Sequence, residues 1–211
     1  MARTYDLNTK QAAAADNTMS RIEETGKYVG TLTRAEAVVS TRNTEGVEFS
    51  FRADDGATAD FLTLWTYNEA GDELPALKML NAMMTVLRVK TISPTSGQVE
   101  KWDSTAGARI KTAATIFPEL TGRRIGLLLQ REEYQKRDGS IGSKMNIWAV
   151  FDADSELTAS EILSRKTQPE TLAKMLLTMK DKPLKGGQQY RQPQSAAATQ
   201  GEAFEDDDVP F

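Results

Sequence analysis

The chain contains neither cysteine nor histidine. Without cysteine it cannot form a disulfide or use a thiol nucleophile, and without histidine it lacks the commonest metal ligand and the commonest general base. We therefore expect no metal site, no cofactor and no ordinary hydrolytic mechanism. No apolar run approaches the ~18 residues of a membrane span, and residues 1–18 lack the pattern of a secretory signal. A cytoplasmic protein without membrane association is the expectation.

Charge is unevenly distributed along the chain. The 26 basic and 30 acidic residues give a formal net charge of −4. The last ten residues contain no Lys or Arg, but they include the acids Glu202, Glu205, Asp206, Asp207 and Asp208. Without these acids the charges of the remaining residues nearly cancel. A surface that binds an anionic polymer must therefore be local, confined to one face of the protein.

The chain ends in Asp206, Asp207, Asp208, Val209, Pro210 and Phe211. Adjacent Asp side chains repel one another and are costly to bury together, so the segment suits a basic pocket on another protein, with the last two residues filling an apolar slot. An acidic terminus that only aids solubility is the plainer interpretation. The motif resembles the acidic tip of bacterial and phage single-stranded DNA-binding proteins. That resemblance implies that residues 202–211, here called the acidic tip, recruit replication, recombination and repair enzymes.

Alternating apolar and polar residues predict a mainly β fold with added helices. Asp54, Asp55 and Gly56 form a hairpin signal, and helical spacing predicts a helix over residues 73–88. The predicted strands are residues 27–40, 47–52, 59–67, 124–136 and 144–151. Three strands, a helix and two strands is the order of a five-stranded OB-fold barrel, which is the fold that the resemblance implies.

The other segments divide the chain further. We expect an N-terminal arm (1–25), which packs on the core or on a second subunit, and an OB-fold domain (26–180). This domain contains an insertion near 92–121, in which residues 99–102 and 110–116 could be short strands. It also contains C-terminal helices within 155–179, and the apolar stripe of these helices suits the core or a dimer contact. Residues 181–201 are rich in Gly, Gln, Pro, Ser and Ala and predict a flexible linker, so that the acidic tip belongs to a disordered tail.

The third predicted strand offers aromatic side chains for stacking on nucleic-acid bases. One of its faces carries Phe61, Thr63, Trp65 and Tyr67, and the other carries Leu62, Leu64 and Thr66. If the Leu face points inward, Trp65 and Tyr67 form an outer platform; an inward aromatic face fits the alternation equally well. In the last strand, burial of the larger apolar set (Met145, Ile147, Ala149 and Phe151) would turn Trp148 outward.

Cations near these aromatics complete the expected DNA site. The turn of the second hairpin mixes cations with Tyr134, which could clamp a strand, although Glu132 and Glu133 weaken the local field and a solvated loop is the plainer interpretation. The predicted phosphate contacts are Arg52, Arg123, Arg124, Arg131, Lys136, Arg137 and Lys144.

These observations predict a non-catalytic protein that coats and protects single-stranded DNA during replication, recombination and repair, and that recruits enzymes through its acidic tip. The tip acids are expected to compete with DNA for the same basic groove. The departure of the body from the compact bacterial pattern favours a phage protein acting in the bacterial host cytoplasm, and a homo-oligomer is compatible with the sequence. One alternative is an accessory protein that uses the tip and touches DNA weakly. Another is a Mg²⁺-dependent nucleic-acid enzyme using Asp54, Asp55 and Asp60, or Asp152 and Asp154.

Overall fold

A computed structural model describes Leu7, Thr9 and residues 21–103, 107–136 and 138–184, without the side chains of Trp102, Asp103 and Arg109. Three of the predictions lie outside the described residues: the contact at Arg137, the linker from 185 onward, and the acidic tip with Asp206, Asp207, Asp208, Val209, Pro210 and Phe211. Most of the N-terminal arm also lies outside them.

The mainly β prediction is confirmed. The strands are β1 (Gly26–Val39), β2 (Glu45–Ala53), β3 (Thr58–Tyr67), β4 (Thr95–Asp103), β5 (Ala108–Ile116), β6 (Arg124–Gln135) and β7 (Ile141–Phe151). Between residues 21 and 184 the helices are α1 (Ala76–Val86), α2 (Ala159–Leu163) and α3 (Thr171–Thr178). All five predicted strands are present within a few residues of their expected bounds. No helix among the described residues has the length and apolar character needed to cross a membrane.

The long strand β1 organises an antiparallel sheet of seven strands. One edge of β1 pairs with β2, which pairs with β3. The first half of its other edge pairs with β6, and its second half meets β5 at Glu36 and Ile116. The ladders β4–β5 and β6–β7 complete the sheet.

The sheet is open. Among the described strands, β3 and β7 are neighbours, but no ladder joins them. In place of the expected five-stranded barrel, the described strands form an open sheet of seven. The two extra strands, β4 and β5, form the segment predicted as an insertion, and they pair with each other over their whole length as a hairpin. We call this hairpin the β4–β5 arm.

The sheet curls around a main apolar core. Phe49, Phe51 and Leu62 are completely buried on the inner face of β2 and β3, where they meet Leu127 from β6. Helix α1 covers this core with Leu80, Met83 and Val86, and it contacts both β3 and β7. At roughly 25 cal/mol per Å² of apolar area, burial of these side chains is the main favourable contribution to the stability of the sheet.

A smaller apolar cluster lies on the opposite side of β6 and β7. Leu128, Ala149 and Phe151 pack there against Leu172 of α3. Glu161 of α2 holds the two helices together, because its carboxylate accepts hydrogen bonds from the amide of Thr158 and from the first amides of the α3 turn. The predicted C-terminal helices are thus confirmed, although both are shorter than expected.

Candidate nucleic-acid interface

The orientation of β3 decides between the two alternatives that its alternation left open. Leu62 and Leu64 are buried in the main core, whereas Phe61 is 63% exposed and Trp65 37% exposed. The Leu face therefore points inward and the aromatic face outward. Tyr67 lies at the end of the strand and is half-buried, where it lines a cleft against α1. We call the side of β1, β2 and β3 that bears Phe61 and Trp65 the outer face.

Trp65 is held in place by a glycine on the neighbouring strand. Gly46 of β2 pairs with Trp65, and a Cβ built on Gly46 would lie 2.9 Å from Cε3 of the indole. The ring thus lies directly on bare backbone, which fixes it while leaving part of its surface in solvent. Such a fixed, partly exposed ring can accept a stacked base.

Phe61 is presented by a distorted backbone. The pairing of β2 with β3 shifts register between Phe49 and Phe51, which marks a β-bulge beside Phe61. Phe61 itself has φ of 61°, in the left-handed region that costs a side-chain-bearing residue about 1–2 kcal/mol. The surrounding ladder maintains this conformation, and the ring projects into solvent. Sequence reasoning placed Phe61 on the right face, but it did not select Phe61 as a site residue because alternation carries no signal for a bulge.

A groove runs beside these rings between the outer face and the β4–β5 arm. It has a volume of about 280 Å³. Arg34, Ser50 and Arg52 line it from β1 and β2, and Gln98 and Glu100 line it from the arm. The arm therefore supplies one wall of this groove, a contribution that the sequence does not predict.

Arg34 forms a buried ion network at the floor of this groove. Its Nη1 donates to Glu36 at 3.0 Å and its Nη2 to Glu48 at 2.6 Å, while its Nε donates to the Ser50 hydroxyl at 3.1 Å. Lys101 of the arm donates to the second oxygen of Glu36 at 2.6 Å. Two cations and two carboxylates thus neutralise one another, and the same contacts join the arm to the sheet.

Arg52 remains as a cation of the groove that is available to a ligand. Its side chain is exposed and lines the groove, and it forms no ion pair with any residue that the structure describes. A guanidinium in this state can contact a phosphate without first giving up a protein partner.

The β6–β7 hairpin is less basic than its sequence indicates. Lys144 pairs with Glu132 at 3.1 Å, and Arg131 pairs with Glu133 and Asp181, both at 3.4 Å. The hydrogen bond from Lys182 is the main cause that lowers the pKa of Glu132 to about 2, against an opposing effect of burial. The expected phosphate contacts Arg131 and Lys144 are therefore already engaged with carboxylates.

Among the predicted contacts near the end of the hairpin, Tyr134 and Lys136 are accessible. Both lie over Gly142, because a Cβ built there would be 2.9 Å from Cζ of Tyr134 and from Cε of Lys136. Tyr134 is 41% exposed, and Lys136 is exposed and forms no ion pair with the described part of the chain. This pair matches the predicted combination of an aromatic ring and a cation.

Arg123 and Arg124 brace loops. Nη2 of Arg123 donates to the carbonyl of Leu87 at 2.7 Å, which caps the C-terminal end of α1. Arg124 pairs with Asp54 at 2.9 Å and more loosely with Asp154 at 3.7 Å. These contacts give both side chains a structural role in the free protein.

Trp148 lies on the side of β7 away from the main core, as the alternation predicts, but helix α3 covers that side and leaves the ring half-buried. Leu128 pairs with Ala149 but Leu129 pairs with Ile147, so Trp148 is the extra residue and the alternation reverses there. The predicted apolar set is thus divided: Met145 and Ile147 pack on the main core, whereas Ala149 and Phe151, beyond the bulge, belong to the smaller cluster with Trp148. Trp148 therefore packs beside α3, in a cluster that includes neither Phe61 nor Trp65.

The carboxylates considered for Mg²⁺ have turn or ion-pair partners. Asp54 pairs with Arg124, Asp55 accepts the amide of Ala57, and Asp152 accepts the amides of Asp154 and Ser155. The described residues contain no group of three or more acidic side chains arranged to hold a metal ion.

A scan against protein-family models finds no match. A search of curated proteins finds no similar sequence.

Proposed function

We propose that the protein binds single-stranded DNA, without catalysis, on the outer face of an OB-type sheet. The observation that carries this proposal is the pair of exposed rings, Phe61 and Trp65, on β3 beside a groove with an unpaired Arg52. Single-strand binding without sequence preference combines base stacking on aromatic rings with a cationic track for phosphates. Two rings four residues apart on a strand are separated by about 13 Å along it, so they would contact different bases.

The order and pairing of the strands support the OB assignment. Three strands form a meander, α1 contacts both β3 and β7 at the open side of the sheet, and β6 returns to pair with the start of β1. OB folds are partly open Greek-key barrels that bind oligonucleotides on the face of strands 2 and 3 and with the loop between the last two strands. In this chain Phe61 and Trp65 lie on the corresponding face of β3. Tyr134 and Lys136 lie next to the loop between the last two strands, β6 and β7.

The acidic tip then supplies the second half of the function. Coated single strands must be handed to enzymes of replication, recombination and repair, and a terminal segment of acids followed by Val209, Pro210 and Phe211 offers those enzymes a charged and apolar handle. The protein in this proposal coats and protects DNA in the host cytoplasm and recruits partners through this segment.

A second candidate is favoured by the charges of the site. Arg34, Lys101, Arg131 and Lys144 are all ion-paired. An accessory protein that recruits partners and touches DNA weakly would have such a neutralised surface.

Titration of fluorescently labelled oligo(dT) at several salt concentrations separates the two candidates. Two phosphate contacts, at Arg52 and Lys136, predict a slope of log K against log salt of about −1.4, at about −0.7 per phosphate contact. Phe61→Ala and Trp65→Ala should each weaken binding by about 1–3 kcal/mol, which is about 5- to 150-fold. Leu177→Ala, at an exposed position of α3, is the control and should bind as the wild type does. Equal affinity of all four proteins would eliminate the proposed site, and millimolar affinity of the wild type would favour the accessory protein.

A further inference from the structure

An apolar groove lies among the helices, away from the outer face. It is formed by α1, α2, α3 and the end of β7, and its volume is about 490 Å³. Met79 and Ala82 line it from α1, Leu163 from α2, Met175 from α3 and Trp148 from β7. We call it the helix groove. Its volume lies within the range of about 300–1,000 Å³ that is usual for ligand pockets.

The charge of the helix groove is as distinctive as its apolar lining. Its lining contains one charged side chain, Lys78, and no carboxylate. Lys78 is exposed and forms no ion pair with any residue the structure describes. The groove beside the outer face differs, because Glu100 lines it and its Arg34 is already paired with Glu36 and Glu48. An acidic peptide with an apolar end therefore suits the helix groove better than the groove beside the outer face.

The chain itself carries such a peptide. Val209, Pro210 and Phe211 follow three Asp residues, and the terminal carboxylate adds a further negative charge. The described part of the chain ends at residue 184, so residues 185–211 can span at most about 90 Å from there. That reach includes every surface of a domain of this size, which has a radius of gyration of about 15 Å.

We infer that the acidic tip docks in the helix groove of its own chain when no partner protein holds it. The ring of Phe211 lies among Met79, Met175 and Leu163, and the Asp residues lie near Lys78. Methionine side chains adapt readily to an inserted aromatic ring. The tip and the single strand then occupy different surfaces, in contrast to the competition for one groove that the charges of the sequence predict. This inference does not depend on whether the outer face binds DNA.

Methyl NMR of the full-length chain with ¹³C-labelled methionine tests the inference. Replacing Phe211→Ala should displace the methyl signals of Met79 and Met175 and the indole signal of Trp148. The methyl of Met145, which is buried in the main core, is the internal control and should not move. Unchanged signals of Met79, Met175 and Trp148 would overturn the inference, as would a displacement confined to the indole of Trp65.

Groove variants in the full-length chain give an independent readout. Leu163→Asp places a negative charge at an exposed position of the groove, so it should reproduce the spectral change of Phe211→Ala. Leu177→Asp adds the same charge at an exposed position of α3 outside the groove lining and should leave the groove signals at their wild-type positions. The spectral changes caused by Phe211→Ala and by Leu163→Asp should be independent of protein concentration. A change that disappears on dilution would show docking between chains and would contradict docking within one chain.

Oligo(dT) titration of the same variants distinguishes this inference from the proposed function. Phe211→Ala and Leu163→Asp should each leave the Kd within about twofold of the wild-type value, because the tip and the strand occupy separate surfaces. A Kd that tightens tenfold in Phe211→Ala would place the tip on the DNA-binding surface and overturn the inference. A wild-type chain that binds no DNA, with the methionine signals behaving as expected, would refute only the proposed function.

Discussion

Phe61 links the stability of the sheet to its proposed binding function, and a pair of substitutions separates the two. Phe61→Ala removes the ring but keeps a Cβ in the left-handed conformation. Phe61→Gly removes the ring and also relieves the conformational cost, which is about 1–2 kcal/mol for a residue with a Cβ at φ near 60°. The greater chain entropy of unfolded glycine offsets about 0.5–1 kcal/mol of this gain. Because the ring is 63% exposed, its loss costs the two variants the same modest burial energy.

Phe61→Gly should therefore be more stable than Phe61→Ala by about 0.5–1 kcal/mol, whereas the two variants should bind oligo(dT) equally weakly. Urea unfolding followed by circular dichroism gives the stability difference, and fluorescence anisotropy gives the affinities. A glycine variant that is less stable than the alanine variant would refute the argument that the bulge stores strain at this residue. Wild-type affinity in either variant would refute the role of the ring.

Three further substitutions test other contacts. Glu161→Gln places an amide nitrogen against buried groups whose hydrogen bonds the carboxylate accepts in the wild type, so it should lower the free energy of unfolding in urea by about 2–4 kcal/mol. The control Glu170→Gln, at an exposed ion pair, should have no measurable effect. Arg34→Met leaves its two carboxylate partners without their shared cation and should cost about 3–5 kcal/mol; unchanged thermal unfolding would contradict this. Glu132 has a lowered pKa, so its contribution to stability is complete above pH 4.5 and is lost as the pH falls toward about 2, and Glu132→Gln should reduce the acid sensitivity of stability in that window.

The sequence was sufficient to predict the elements with strong periodicity. Strands β2 and β3 and helix α1 lie within a few residues of their predicted positions, because alternation and helical spacing record which side chains are buried. Alternation did not reveal which face of β3 points inward. That choice depends on the packing of Leu62 and Leu64 against residues distant in the chain, such as Leu127.

Two features of the site could not be predicted because they depend on distant or irregular pairing. One extra residue at Trp148 reverses the alternation of β7, and nothing in the local sequence marks the bulge. The weakening of the hairpin's charge by Glu132 and Glu133 follows from the local sequence, but the pairing of Arg131 with Asp181, fifty residues later, does not. The β4–β5 arm was missed as a hairpin since most of its side chains are exposed on both faces and record little burial.

Photo-crosslinking tests the central claim, that single-stranded DNA lies on the outer face of β3, most directly. The full-length chain is irradiated with oligo(dT) that carries 5-iodouracil, and the adducts are located by mass spectrometry of the digested protein. The account predicts adducts at Phe61 or Trp65, with further adducts at Tyr134. Adducts confined to Trp148 and the helices around it, with Phe61 and Trp65 unmodified, would contradict it.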